Sequence, residues 1–248
     1  MQTNIQSYLK DIVQHTYALG NIDLIKVTGD QNEILINSIS EDRGLILEAK
    51  FKNVHPDFIG IYGMPNLGKL KTILGIDEYN EDAKITFNTQ TDADGNVIPS
   101  GIHFENKTGD FKNDYRFMTA GVVNDKLKAV KFRGARWNVQ FEPTVQNIQR
   151  MRFQAAANSE ETTFTAKTEG GDLKFFFGDP TSHAGNFVFQ AGVQGTYNKS
   201  QFHWPVNTVL SILALTGDKT FHMSEDGASM IKIDSGLIEY NYILPAKT

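Results

Sequence analysis

The segment 63–70, GMPNLGKL, is the part of this chain that comes nearest to a motif with chemistry of its own. It has the glycine and lysine spacing of a phosphate-binding loop, G-x-x-x-x-G-K, but Leu70 stands where such loops carry the Ser or Thr that binds Mg²⁺. Pro65 removes one of the backbone N–H groups that would hold a phosphate. The segment therefore argues against a nucleotide-hydrolysing enzyme, although that hypothesis stays open.

Other residue types that could do chemistry lack the required spacing. Asp92, Asp94 and Asn96 resemble part of a calcium loop, but Gly95 falls at the fourth position instead of the sixth. Asp-Gly turn chemistry explains that segment better. The six histidines show no metal-binding pair spacing, and no nucleophile elbow is present. We therefore expect no catalytic residue, no metal and no cofactor.

The composition is that of an ordinary globular protein. The chain has 248 residues, 40% of them hydrophobic, and no cysteine, which excludes disulfides and thiolate metal sites. No apolar run is long enough to span a membrane, and the N-terminus lacks a signal-peptide pattern, so we expect a cytoplasmic protein. The net charge of −5 does not exclude nucleic acid, since contact depends on where the basic residues lie.

One order of elements runs twice through the chain, and it would position whatever surface does the work. Each copy predicts a helix, three strands, a short helix and three strands. The first copy has helices near 5–16 and 65–74 and strands at 22–28, 33–39, 45–51, 84–88, 97–105 and 111–118. The second has helices starting at Pro143-Thr144 and Trp204-Pro205 and strands at 162–168, 173–178, 186–193, 219–223, 229–234 and 237–244.

The spacing of the two copies agrees as well as their order. The two helix starts are 62 residues apart in the first copy, Ile5 to Leu67, and 61 in the second, Val145 to Val206. The short helices superpose at a shift of 139: Leu67 on Val206, Leu70 on Val209, Ile73 on Ile212, Leu74 on Leu213. These matches predict two similar domains, 1–118 and 142–248.

Residues 119–141 have no counterpart in either copy and predict a connector with partial strand character. This is the most basic stretch of the chain, with five Lys or Arg against one acid, Asp125. The hairpin segment 91–100 is a second difference between the copies.

The repeated plan resembles that of the DNA sliding clamp family. The tail YNYILPAK and the segment from FEPTVQNIQRM to KFFFGD are similar to bacteriophage clamps, with the proliferating-cell-nuclear-antigen clamps as further relatives. The resemblance implies an α+β DNA clamp fold, in which each of two similar domains packs two short helices on antiparallel sheets. It also implies a homotrimeric ring around duplex DNA, a tethered DNA polymerase and a clamp loader.

Helices that line such a ring should bury one stripe and present neutral or basic residues on the other face. Helical projection places Lys10, Gln14, Lys69, Lys71, Gln146, Arg150 and Arg152 on the exposed faces. Asp11 projects onto the same face of the first helix, and its negative charge counts against a DNA-facing role for that helix. The fourth helix presents small neutral residues.

The resemblance also implies an apolar docking pocket between the domains, beneath the connector. The matching residues are Leu45, Leu47, Val130, Phe132, Leu244 and Pro245. The connector lysines would then form a polar rim for the peptide tail of a polymerase.

A different class of function is a β-rich structural subunit of a viral or other assembly. Such a subunit would share the strands and the lack of catalytic residues. It does not require a helix at the start of each half with matched spacing, so the repeat favours the clamp.

Overall fold

The computed structural model describes residues 4–91, 95–128, 132–181 and 183–248. Contacts divide the chain into two compact units. Unit 1 is Met1–Lys131 with Ser235–Tyr240, and unit 2 is Phe132–Asp234 with Asn241–Thr248. The division falls inside the connector segment, and the last strand of the chain contributes residues to both units.

Unit 1 contains three helices and eight strands among its described residues before the last strand. Asn4 caps the first helix by accepting a hydrogen bond from the Gln6 N–H at 3.1 Å. The helices are α1 (Ile5–His15), α2 (Leu67–Leu74) and α3 (Ala120–Lys126). The strands are β1 (Leu24–Gly29), β2 (Ile34–Ile39), β3 (Ile46–Phe51), β4 (Gly60–Pro65), β5 (Lys84–Thr91), β6 (Val97–Glu105), β7 (Lys112–Arg116) and β8 (Met118–Thr119).

Two antiparallel sheets form unit 1. The first has the order β8-β4-β1-β2-β3, and the second has the order β5-β6-β7. The first residues of the last strand, Ile238–Tyr240, continue the first sheet beside β3. Leu9 and Ile12 of α1 and Leu70 of α2 are fully buried, as are the inward residues of β1 and β2.

Unit 2 repeats the plan with two helices and the remaining strands. Thr144 caps its first helix by accepting from the Asn147 N–H at 3.1 Å. The helices are α4 (Val145–Ala157) and α5 (Val206–Leu213). The strands are β9 (Val139–Phe141), β10 (Thr163–Glu169), β11 (Asp172–Gly178), β12 (Ala184–Gln190), β13 (Trp204–Pro205), β14 (Asp218–Ser224), β15 (Ala228–Asp234) and β16 (Ile238–Pro245).

The sheets of unit 2 are also antiparallel. One has the order β12-β11-β10-β13, and the other contains β9, β14, β15 and the end of β16. The predicted tight turn between β10 and β11 is present. Gly170 and Gly171 have φ angles of 62° and 88°, a conformation that glycine adopts without strain. The core is aromatic, with Phe175 stacked on Phe189 at 4.3 Å between ring centroids.

The internal repeat predicted from sequence is present in the burial pattern. All four apolar positions of α2 and all four of α5 are buried. These are the residues that superpose at the shift of 139. The chain has an α+β fold with antiparallel sheets and short helices, as predicted.

The predicted connector has partial strand character, in β9, and it also contains a helix that was not predicted, α3. One local prediction was wrong. Pro65 was placed in the first turn of a helix, yet it ends β4, and α2 begins after Asn66. None of the helices in the described residues is both long and apolar enough to cross a membrane.

Candidate nucleic-acid interface

All seven positions predicted to face DNA have exposed side chains: Lys10 and Gln14 on α1, Lys69 and Lys71 on α2, and Gln146, Arg150 and Arg152 on α4. The opposite faces of these helices are buried. Each helix therefore presents the predicted residues outward within its own unit. Whether they contact DNA remains a prediction.

Asp11 does not join the exposed face of α1. Its Oδ2 atom accepts hydrogen bonds from the Tyr240 hydroxyl at 2.8 Å and the Ser235 hydroxyl at 2.9 Å. The Nδ1 atom of buried His15 lies 3.2 Å from the other carboxylate oxygen, and the Asp11 side chain is only 12% exposed. The one carboxylate that counted against α1 is directed toward β16.

The four helices α1, α2, α4 and α5 together contain five Lys or Arg residues and a single acid, Asp11; every residue of these helices is described. The whole chain, by contrast, has 29 acids and 24 bases. With Asp11 turned inward, the outward faces of these helices carry only neutral or positive groups. Such faces attract phosphates without reading base sequence.

Aromatic rings lie beneath two of these cations. The Nζ atom of Lys71 lies 5.6 Å from the centroid of the Tyr17 ring. The guanidinium of Arg150 lies 5.5 Å from the centroid of the Phe187 ring on β12. Both distances suit a cation–π contact, which restricts where the charge can lie. Sequence reasoning did not identify Tyr17 or Phe187.

Helix α5 has a neutral exposed face, as predicted. Asn207 and Ala214 are exposed, and Thr208 and Ser211 are half-buried. Its apolar stripe is complete, since Val206, Val209, Ile212 and Leu213 are all buried. This helix can border DNA closely without attracting it.

The predicted docking pocket stays a prediction, and burial argues against three of its six residues. Leu45, Leu47 and Leu244 are fully buried in this conformation, so a peptide cannot reach their side chains. Val130 lies outside the described residues. Pro245 is exposed, and Phe132 is half-buried and stacks on Trp137 at 6.1 Å between ring centroids.

Trp137 in turn contacts His222 of β14, with ring centroids 5.3 Å apart. Burial lowers the pKa of the His222 imidazole below its ordinary value. Phe132 thus belongs to an aromatic row packed on unit 2.

A cleft of about 450 Å³ in unit 1 lies against the start of the connector, and we call it the connector cleft. Leu24, Ile39, Met118 and Leu127 supply its apolar atoms. Its other lining residues are polar or charged, apart from Pro65: Asn21, Asp23, Ser40, Glu41, Arg43, Asn66, Asp125, Lys126 and Lys128. An apolar floor with a charged rim suits a short peptide better than a small apolar ligand.

The phosphate-loop hypothesis is wrong. Gly63 lies within β4, paired with Lys26 of β1 and Met118 of β8. Leu70 is a fully buried core residue. Within the described part of the chain, no group of three or more metal-ligating side chains could hold an ion.

The chain is similar over nearly its whole length to solved structures of PCNA. One is the structure of the C-terminal region of FEN-1 bound to A. fulgidus PCNA, with a TM-score of 0.70 and 8% identity; the match covers 98% of this chain and 96% of that one. Another is PCNA from Thermococcus kodakaraensis, with a TM-score of 0.67 and 10% identity, covering 98% of both chains. The chain has the DNA clamp fold. No protein-family model matches it, and no curated protein matches it by sequence.

Proposed function

We propose that this chain is a sliding clamp that encircles duplex DNA and tethers a DNA polymerase for processive synthesis. One observation carries the proposal: within a clamp fold, three of the four short helices present exposed cations, the fourth presents a neutral face, and their one acid is hidden. The protein would act as a scaffold without catalytic chemistry. The narrower resemblance to bacteriophage clamps rests on sequence alone and stays a prediction.

DNA is held by topology and by weak attraction between cations and phosphates. Lys and Arg interact with phosphates whatever the base sequence is, so the ring can slide. Close base contacts would fix the ring at one site. The small neutral face of α5 and the long side chains of α1, α2 and α4 meet this requirement.

Closure into a ring would use two strand edges that occupy corresponding places in the two copies of the repeat. In unit 1, the edge of β3 is covered by the start of β16, where the Lys52 N–H donates to the Leu237 carbonyl at 3.0 Å. The counterpart of β3 in unit 2 is β12, and the counterpart of β16 in unit 1 is β7. Among the described strands, β12 and β7 each have one edge without a neighbour. Pairing β12 of one copy with β7 of the next would cover both edges.

Exposed apolar side chains lie near both of these edges. Phe153, on the helix that packs against β12, is 64% exposed, and Phe111, which precedes β7, is 40% exposed. Both side chains would expose less apolar surface to water if a neighbouring copy covered these edges, which would favour the contact. A head-to-tail contact repeated three times would give a homotrimer, which a clamp loader would open on DNA.

Partner tails would bind in the connector cleft. In the A. fulgidus PCNA structure, the bound partner is the C-terminal region of FEN-1. In this chain Leu127 and Ile39 would receive apolar residues of a polymerase tail. The charged lining is mixed, with three bases and three acids, so Lys126 and Lys128 would pair with acidic residues of the tail on the connector side only. This location replaces the residues inferred from sequence.

The decisive test of DNA holding changes Lys10, Lys69, Lys71, Arg150 and Arg152 together to Ala. We expect weaker binding to duplex DNA, a smaller dependence of affinity on salt, and reduced stimulation of the cognate polymerase. Each lost phosphate contact should lower the salt slope by about 0.9. Binding is measured by fluorescence anisotropy over a salt series, and folding by circular dichroism.

The matched control changes five exposed lysines outside these helices to Ala: Lys50, Lys84, Lys107, Lys112 and Lys167. It removes the same charge from the chain and should leave DNA binding much less affected. Equal losses in both variants would show that total charge, and not the helix faces, determines binding. A five-cation variant that stimulates the polymerase as well as wild type does would contradict the proposal.

A further inference from the structure

Tyr17 lies where the exposed face of α1 meets that of α2. It begins a short 3₁₀ turn, Tyr17–Leu19, directly after α1. Thr16 separates it from α1 with non-helical φ and ψ angles of −125° and −73°, and the Tyr17 side chain lies against α2. The side chain is half-buried. Tyr17 therefore lies beside Lys71, one of the residues proposed to face DNA.

The ring of Tyr17 approaches α2 closely at a glycine. A Cβ atom added to Gly68 would lie 2.9 Å from both Cζ and Oη of Tyr17, closer than any side chain could sit. The absence of a side chain at Gly68 is what lets the ring approach the helix backbone. Lys71, one turn further along α2, places its ammonium 5.6 Å from the ring centroid.

The Tyr17 hydroxyl makes no side-chain hydrogen bond to any residue that the structure describes. Buried tyrosines of unit 1 differ among themselves: the Tyr62 hydroxyl is fully buried without a partner in the described part of the chain, whereas two others are hydrogen-bonded. The Tyr240 hydroxyl donates to Asp11, and the Tyr115 hydroxyl donates to the Pro65 carbonyl. A tyrosine needed only for packing could be a phenylalanine. The Tyr17 hydroxyl has a free donor on a surface whose neighbours are cations.

We propose that Tyr17 is a DNA-contacting residue: its hydroxyl donates to a backbone phosphate, and its ring holds the Lys71 ammonium toward the same strand. The inference rests on the proposed function, and it adds a neutral hydrogen-bond donor to the cations that are proposed to face DNA. Tyrosine hydroxyls are among the groups that bind DNA phosphates, and such a contact carries no sequence preference. It is therefore compatible with sliding.

Three single variants separate the two roles. Tyr17→Phe removes only the hydroxyl, Tyr17→Leu also removes the ring, and Gly68→Ala keeps the tyrosine but displaces it. Affinity of the full chain for short duplexes of two unrelated sequences is measured over a salt series. We expect Tyr17→Phe to weaken binding about threefold at every salt concentration, with an unchanged slope because a neutral donor releases no counterion. Thermal midpoints check that each variant is folded.

Lys71→Ala should lower the salt slope by about one, as expected for a phosphate-contacting lysine. Tyr17→Leu should weaken binding more than Tyr17→Phe does, and Gly68→Ala should shift binding in the same direction. In a double-mutant cycle, Tyr17→Leu should cost less when Lys71 is already Ala, because the ring acts partly through that lysine.

This inference would be overturned if Tyr17→Phe and Tyr17→Leu bound DNA as tightly as wild type while Lys71→Ala bound it clearly more weakly. That result would leave the clamp proposal standing. A salt slope changed by Tyr17→Phe would also overturn the inference, since the hydroxyl is neutral. If neither Lys71→Ala nor the five-cation variant changes binding, the failure lies with the proposed function itself.

Discussion

The carboxylate of Asp11 determines the charge that α1 presents to its surroundings. A helical projection places it beside Lys10 and Gln14, where it would repel phosphates. The hydroxyls of Tyr240 and Ser235 instead draw it toward β16. The same two hydrogen bonds join α1 to Ser235 and to Tyr240 of β16. Asp11 therefore stabilises the fold and also leaves the exposed face of α1 without a negative charge.

Replacing Asp11 with Ala should destabilise the protein by about 2–4 kcal/mol. The Tyr240 hydroxyl would lose its charged acceptor while buried, and hydrogen bonds to charged groups contribute about 1.5–3 kcal/mol each. For a chain of this size, that loss lowers the melting temperature by about 4–16 °C. Differential scanning calorimetry measures it.

Glu33→Ala is the matched control, because it also removes one carboxylate. Glu33 pairs with Lys50 at 2.8 Å, but both side chains are about half exposed. Exposed pairs of this kind contribute about 0–1 kcal/mol. Similar shifts in the two variants would show that the Asp11 contacts do not anchor α1.

The sequence pattern could have excluded Leu45 and Leu47 from the predicted docking pocket. Side chains alternate along a strand, so these two leucines share one face with Ala49, and that face is the core. Leu244 shares its buried face with Tyr242 by the same rule. The alternation was sufficient to exclude these residues from an open pocket. Residues that line the connector cleft come from five separate segments, and their proximity cannot be read from sequence.

At the scale of elements, strongly periodic segments were predictable and short ones were not. The stripes of α2 and α5 repeat four apolar positions each, so pattern alone located both helices. Helix α3 has seven residues, contains Gly121 and buries only Val123. It is too short for a periodic pattern, so it was not predicted as a helix within the connector. Its position nonetheless matters, since it places Lys126 at the connector cleft.

The connector cleft makes a prediction about peptide binding. Changing Leu127 to Asp should weaken binding of a C-terminal peptide from the cognate polymerase at least about tenfold, because the apolar floor would become charged. Changing Lys126 and Lys128 together to Glu should mainly reduce the association rate and its dependence on salt. Isothermal calorimetry and stopped-flow fluorescence separate these effects.

Lys84→Glu provides the control for charge reversal. Lys84 is exposed on β5 and does not line the cleft. It should leave peptide affinity unchanged. Undiminished binding by the Leu127→Asp variant, with its fold intact by circular dichroism, would place the peptide site elsewhere on the chain.

At the scale of the whole molecule, the repeat determines how copies can join. An interface between β12 and β7 uses different surfaces on its two sides, so every copy has one of each, and the contacts give a ring when the rotation between copies closes and a filament when it does not. An interface between two β12 strands would use the same surface twice and stop at a dimer. The two arrangements respond differently to single substitutions near each edge.

Phe153→Asp and Phe111→Asp should each convert a wild-type trimer of 27.7 kDa subunits to monomer, because each variant places a charge in one side of every contact. Val97→Asp, at an apolar residue that is 70% exposed and lies away from both edges, should remain trimeric. An equimolar mixture of the two monomeric variants retains one intact pair of surfaces: β7 of the Phe153→Asp chain and β12 of the Phe111→Asp chain. That mixture should form a heterodimer and nothing larger, as measured by native mass spectrometry. Persistence of a homodimer in the Phe111→Asp variant alone would instead indicate pairing of like edges, and the head-to-tail ring would be wrong.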